Sequence, residues 1–439
     1  MIAISSDQAL CDFVAGFELR DLPDDARARL SLLTADMAAV CVSGRAAPAS
    51  RIAADHAVEL YGPAHPDATL LLDGRRAGVI GAAFANGVLA NALDFDDGHR
   101  LTKGHPGAIV IPAALAVAQR VDATARELLE AIVVGYEIAI RAGIALHERD
   151  DSYHASGAWG AVGAAAAASR LLGLDPAATV AALGLAEYHG PIAHIMRSCA
   201  APRMTKDACS WGAAVGVESA LLAARGFTSV RGEFMDAVEV LDDLRARWRL
   251  QELYIKPYPC CRWSQCGIAA ALAATGGRTL DPGEVRRVTA RTFAAADGLA
   301  KAIPESTEEA QYSLVWPLAS ALTHGRFGVD EVLGPFTDGS VRAMFELIDV
   351  EIDPELTAAF PARRLTAVEI ELLSGELLAA GPLESFGEPD DPGLSALVAA
   401  KVRDAFGDAP VAAGFDGGVR DASPDELLAL LRGAVVADG

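Results

Sequence analysis

The longest uncharged stretch of the chain, residues 152–169, is built mostly of alanine and glycine. Ser152, His154 and Ser156 make it too polar to span a bilayer. It reads as a helix over Gly157–Leu172, closed by Gly173 at the first position past its end. A helix with so little side-chain bulk must have neighbours packed close to its backbone, as dense protein interiors require. That constraint selects a bundle of closely packed helices. The composition suits one: 52% of residues are hydrophobic but only 6% aromatic.

Local signals fill in the bundle. Thr124-Ala-Arg-Glu127 is a capping box ahead of Leu128, Leu129, Ile132, Val133 and Tyr136, and predicts a helix to about His147. Glu137 lies inside it and reads as a hydrogen-bonded carboxylate between helices. Asp175-Pro176 is an N-cap followed by proline at the first helical position. A further helix is expected over about 207–224, ending at Gly226. After Thr275 the pattern changes. Residues 286–293 are rich in β-branched side chains, 365–373 alternate, and 376–380 can return as a hairpin strand after Ser374-Gly375. Helical periodicity is expected over 311–322 and 330–333, and returns over 394–406 and 424–431. The expected fold is mainly α: a large all-α domain of residues 1–270 with 395–439, and a smaller α+β lid domain over 275–395.

Lys and Arg number 37 against 59 Asp and Glu, a formal net charge of −22. Such a surface repels nucleic acid and anionic membranes, so neither is an expected partner. A small anionic ligand can bind only where cations gather locally. Seven cysteines, and an acidic start containing Asp7, Asp12 and Glu18, read as a cytoplasmic protein with reduced thiols.

Four polar segments interrupt or border the apolar helices. The first is Ala92-Leu-Asp-Phe-Asp-Asp-Gly-His-Arg100 with Lys103-Gly-His-Pro-Gly107. A helix starting near Gly107 would point its free amides at this loop, which favours an anion there. The others are Tyr153-His154 through Trp159, Arg203-Met-Thr-Lys206-Asp-Ala-Cys209, and Tyr254-Ile-Lys256-Pro-Tyr-Pro-Cys-Cys-Arg-Trp263. Each has an ordinary structural explanation when taken alone: caps, a satisfied histidine, a surface lysine beside a rigid turn.

Taken in order and spacing, these segments resemble the MmgE/PrpD family. Asn86-Gly87, Val110-Ile-Pro-Ala-Ala114 and Glu309-Ala-Gln-Tyr-Ser-Leu314 add to the match, which runs from roughly residue 7 to 430. The resemblance implies an all-α domain closed by a smaller α+β domain, a site in the cleft between them, homodimers, and no metal or organic cofactor. It implies catalytic roles for Asp94, His105, His154, Lys206 and Lys256. Lys103, Tyr258, Arg262 and Trp316 are expected to contact substrate. The expected activity is dehydration of a 2-methylcitrate-like hydroxy-polycarboxylate, with decarboxylation, epimerisation or loss of catalysis as alternatives. The chain departs from the family pattern at Gly98 (often Thr), Cys209 (His in some), Ser264-Gln265-Cys266 (Thr-His-Pro in many) and Trp316 (commonly Tyr).

Other chemistries fit less well. Asp94–Asp97 could mimic an Asp-rich magnesium motif, but no second motif accompanies it. His99, His105 and Asp97 have zinc-ligand types without diagnostic spacing. Cys260, Cys261 and Cys266 could suggest an iron–sulfur site, but adjacent cysteines rarely reach one cluster together.

Overall fold

The computed structural model describes residues 6–62, 67–407 and 424–433. The Gly157–Leu172 helix lies at the centre. It packs chiefly against the helices Ala125–Arg149 and Cys209–Ala223, with Gly107–Arg120 and Pro176–His189 also in contact. Small residues set the spacing. A Cβ on Gly163 would lie 2.4 Å from both the Gly135 carbonyl oxygen and the Ala139 Cβ, and one on Gly216 2.4 Å from the Ala164 Cβ.

The local signals act as expected. Thr124 Oγ1 accepts from the Glu127 N–H, and Glu127 accepts in return from the Thr124 N–H at 2.8 Å. Gly173 caps its helix with φ 62°, and Asp175 accepts from the Ala178 N–H. Glu137 is buried and takes the N–H groups of Arg249 and Leu250, and Arg141 Nη1 at 2.5 Å. Two elements depart from expectation. The helix expected over 207–224 runs Cys209–Ala223, because Lys206 and Ala208 take left-handed backbone before it. The one expected over 311–322 is split into Thr307–Gln311 and Trp316–His324.

A four-stranded sheet has the order Ile348–Ile352, Val285–Thr292, Thr366–Leu372, Leu377–Leu383. The first pair is parallel and the others antiparallel. Val368 and Ile370 are buried, with Glu369 and Glu371 on the other face, as period-2 patterning requires. The helix Arg262–Thr275, most of which the sequence assigned to the helical part, packs on the sheet. Its Ile268 and Ala271 share a core with Val288 and Ile370. Leu394–Phe406 packs on Asp24–Gly44 within the helical part. Among the described residues, no single helix is long and apolar enough to cross a membrane.

Two of the three buried cores meet at the loop after helix Val79–Ala90: Ala92, Leu93 and Phe95 pack with the sheet-side core, while Leu89 and Ala90 belong to the helical one. Asp94 lies in this seam. Close packing around Gly163 yields a direct prediction. Gly163→Ala should cost about 1–3 kcal/mol through overpacking, read as a lower urea midpoint with an unchanged slope.

Candidate active site

The 94–105 loop is held by a short antiparallel pairing of Gly98–His99 with Leu253–Tyr254. This pairing brings residues about 155 positions apart in sequence (254 − 98 = 156) side by side. It also accounts for Gly98: a Cβ there would lie 2.3 Å from Tyr254 Cζ and Oη. Glycine makes room for the tyrosine ring, and the next turn of chain carries Lys256 onto Asp94. The Lys256 ammonium donates to the Asp94 carbonyl at 2.8 Å and lies 2.9 Å from its Oδ1.

Backbone strain concentrates here. Of the seven described non-glycine residues with positive φ, three are Asp94, Lys103 and Lys206. Such conformations are uncommon for side chains of this kind and persist when surrounding contacts enforce them.

His105 is the centre of the charged cluster. Its Nδ1 lies 3.0 Å from the Asp97 carbonyl and 3.1 Å from Asp96 Oδ2. Its Nε2 lies 3.4 Å from Asp94 Oδ1 and 3.9 Å from Asp207 Oδ2. Burial alone would lower its pKa. The Asp96 carboxylate, followed by Asp207, reverses that and raises it to about 9. The shift favours the protonated ring, and Nδ1 faces the Asp97 carbonyl within hydrogen-bond distance. Asp96 is opposed by its own burial, but His105, Lys256 and Lys206 hold it down at about 2. Asp97 behaves differently: burial raises it to about 7. Its oxygens accept from the Gly107 N–H at 3.0 Å and the Tyr136 hydroxyl at 2.5 Å. The amide at the start of the Gly107 helix thus serves a protein carboxylate, not the ligand anion that the sequence suggested.

These groups border a cavity of about 60 Å³ lined by Asp94, His105, Asp207, Lys256, Tyr312 and Arg364, among others. Lys103 and Arg262 also line it. Lys103 is half-buried and sits 4.4 Å over the Tyr153 ring, and desolvation lowers its pKa. The Arg262 guanidinium is committed to Glu388, Gln265 and the carbonyls of Ser385 and Phe386. It therefore braces the wall and has little left for substrate.

Four expected site residues lie elsewhere. Lys206 is buried one layer behind, donating to the Asn91 carbonyl and to Gln311 Oε1 at 2.7 Å. Burial lowers its pKa against the pull of Asp94 and Asp96. It borders a separate, larger apolar groove of about 810 Å³ that also contains Ile52, Phe84, Met204 and Trp211 and no carboxylate. His154 does not line the small cavity; its neighbour Tyr153 does. His154 lies 3.2 Å from Asp150, with its ring between His147 and His194. Tyr258 packs on Phe386. Trp316 packs on Phe336 and donates to the Glu331 carbonyl. The reason is common to all: a residue's place in a motif does not fix the direction of its side chain.

Two functional candidates escaped the sequence. Asp207 accepts from Ser156 at 2.9 Å and from Tyr312 at 3.0 Å, which aims it at His105. Only its place beside Lys206 hinted at this. Lys401, from the C-terminal part, pairs with Asp36 and donates to the carbonyls of Phe95 and Lys256, tying the 94–105 loop to the Lys256 segment.

As to metals, Asp94, His105 and Asp207 each offer an atom within 4.8 Å of the others, the one such group among the described residues. His105 Nε2 and the Lys256 ammonium already face Asp94 Oδ1, at 3.4 and 2.9 Å.

The chain is similar in sequence to known proteins. A cis-aconitate decarboxylase-like protein of Aspergillus oryzae is 29% identical over 245 residues, covering 51% of this chain and 48% of that protein. The cis-aconitate decarboxylase of Aspergillus terreus is 24% identical over 278 residues, covering 57% and 56%. That of Homo sapiens is 35% identical over 156 residues, covering 33% and 31%. The matched regions thus span about half or less of these three relatives. The MmgE/PrpD N-terminal domain matches residues 8–239, which hold Asp94, His105 and Asp207, and the MmgE/PrpD C-terminal domain matches 258–411, which hold Tyr312 and Arg364. With both of its domains matched in order along one chain, the protein belongs to the MmgE/PrpD family.

Proposed function

We propose that the chain is a lyase acting on a small polycarboxylate, with His105 as the acid that delivers a proton to carbon or to a leaving hydroxyl. The observation that carries this is a buried histidine, flanked by Asp94, Asp96 and Asp207, at the wall of a cation-lined cavity. A group charged at neutral pH and shielded from water is suited to proton donation.

Decarboxylation is the first reading, because the Aspergillus terreus and Homo sapiens relatives are cis-aconitate decarboxylases. In a β,γ-unsaturated carboxylate, His105 would protonate the γ carbon. The pair of the C–CO2 bond would become the new double bond as CO2 leaves. Lys256 would stabilise the anionic side of the transition state. Dehydration, the activity expected from the sequence, uses the same acid on a β-hydroxyl and is the second reading. In both, the α+β part acts as a lid on the helical part. A cavity of about 60 Å³ is small for a six-carbon polycarboxylate, so substrate entry requires its wall to move. The resemblance adds a homodimer, which sedimentation of the purified chain would test.

Incubation with cis-aconitate or 2-methylcitrate in D2O, followed by NMR, separates the readings. Decarboxylation releases CO2 and places one deuterium at carbon; dehydration forms an alkene with the carbon count unchanged. Turnover of neither across a polycarboxylate panel would defeat the proposal. His105→Asn should lower kcat by about 10²–10⁴-fold with the far-UV spectrum intact.

The pH dependence has a definite sign. His105 must hold its proton, so kcat/KM should fall as pH rises through about 9. Because its pKa is raised above the ordinary 6.5, its contribution to stability is complete below 6.5 and lost as pH rises through about 9. Asp96→Asn removes the largest raising influence and should move the alkaline limb to lower pH.

Activity should also survive exhaustive dialysis against EDTA. Loss that zinc or magnesium reverses would place a metal on Asp94, His105 and Asp207 instead.

A further inference from the structure

The cations around the cavity differ in what they already hold. Lys256 is engaged by Asp94, Lys206 by a carbonyl and an amide oxygen, and Arg262 by Glu388 and three oxygens besides. Two lining cations hold no carboxylate among the described residues, Lys103 and Arg364. Lys103 is only half-buried, over the Tyr153 ring, whereas Arg364 is 4% exposed and its Nε and Nη1 are buried without a hydrogen-bond partner. Among the described residues no carboxylate forms an ion pair with it.

Its backbone, by contrast, is anchored. The Arg364 N–H donates to Glu384 Oε1 at 3.1 Å, and its carbonyl accepts from the Cys266 thiol at 2.9 Å. The guanidinium lies 5.5 Å over the Tyr254 ring, whose other cationic neighbour is Arg262 at 4.8 Å. Tyr254 holds that place because Gly98 leaves room for it. The head group is thus positioned by an aromatic face and left unpaired. A buried, unpaired guanidinium is costly, and a planar carboxylate satisfies two of its N–H donors at once.

We propose that Arg364 is the anchor for a carboxylate of the substrate, one that the reaction leaves intact. This rests on the polycarboxylate reading above and adds the group that recognises the second charged end of the ligand. His105, Asp94 and Asp207 come from the helical part, and Arg364 immediately precedes the Thr366–Leu372 strand. A ligand with carboxylates at both ends bridges the two parts, whereas a monocarboxylate does not.

The test uses the full chain with Arg364→Met and Arg364→Lys, and propane-1,2,3-tricarboxylate as an unreactive probe. Wild type should bind the probe and gain thermal stability from it. Arg364→Met should bind about 100-fold more weakly, while the free variant is at least as stable as wild type, because a buried charge without a partner has been removed. Arg364→Lys should recover only part of the affinity, since an ammonium lacks the planar fork. With the turned-over substrate, KM should rise about 100-fold in Arg364→Met and the alkaline limb near pH 9 should stay in place.

A merely structural arginine gives the opposite pattern: a destabilised free variant whose affinity is kept once it folds. Retained probe binding in Arg364→Met overturns the anchor and leaves the polycarboxylate reading standing. Failure of wild type to bind any polycarboxylate removes that reading, and the anchor with it.

Discussion

Three carboxylates, Asp94, Asp96 and Asp207, converge on His105 inside the protein, and the arrangement around them follows from neutralising that charge. Burying carboxylates is costly unless cations and hydrogen bonds reach them. Here the cations come from distant parts of the chain: Lys256 through the Gly98–Tyr254 pairing, Lys206 from before the Cys209–Ala223 helix, and a proton on His105 itself. Asp97 meets the same environment by moving toward its neutral form, with its oxygens bonded to Tyr136 and the Gly107 amide. The same charge balance raises the pKa of His105 to about 9.

Keeping that cluster dry and fixed depends on the helical packing beneath it. Glycines at 135, 163 and 216 let three helices approach at backbone distance, which leaves little space for water behind the loop. Left-handed backbone at Asp94, Lys103 and Lys206 is tolerable only on such a rigid base. The sheet side contributes different groups: Tyr312, which orients Asp207, and Arg364, which holds no counter-ion.

Much of this was legible in the sequence. Capping boxes, C-terminal glycines and period-2 alternation are local, and they marked the helices after Thr124 and Asp175 and the strand around Val368. The density of titratable residues between Asp94 and His105 marked the loop whose carboxylates gather on His105, and net charge −22 said that any anion site needs gathered cations. The Ala- and Gly-rich stretch after Ser152 called for close helix contacts, because a helix without bulk has no other way to fill space.

Only the tertiary structure decided which of the charged groups meet. Lys206 was expected to be catalytic and Arg262 to contact substrate, but their hydrogen bonds are used within the protein; Arg364 gave no local sign, yet its head group lies unpaired at the cavity. His154 and Tyr153 are adjacent in sequence, and it is Tyr153 that lines the cavity. Gly98 read as a departure from the family pattern until the Tyr254 ring appeared against it. The physical reason is the same throughout. Helix and strand propensities act over a few residues, whereas the free energy of a buried charge depends on partners the chain supplies from a hundred or more residues away.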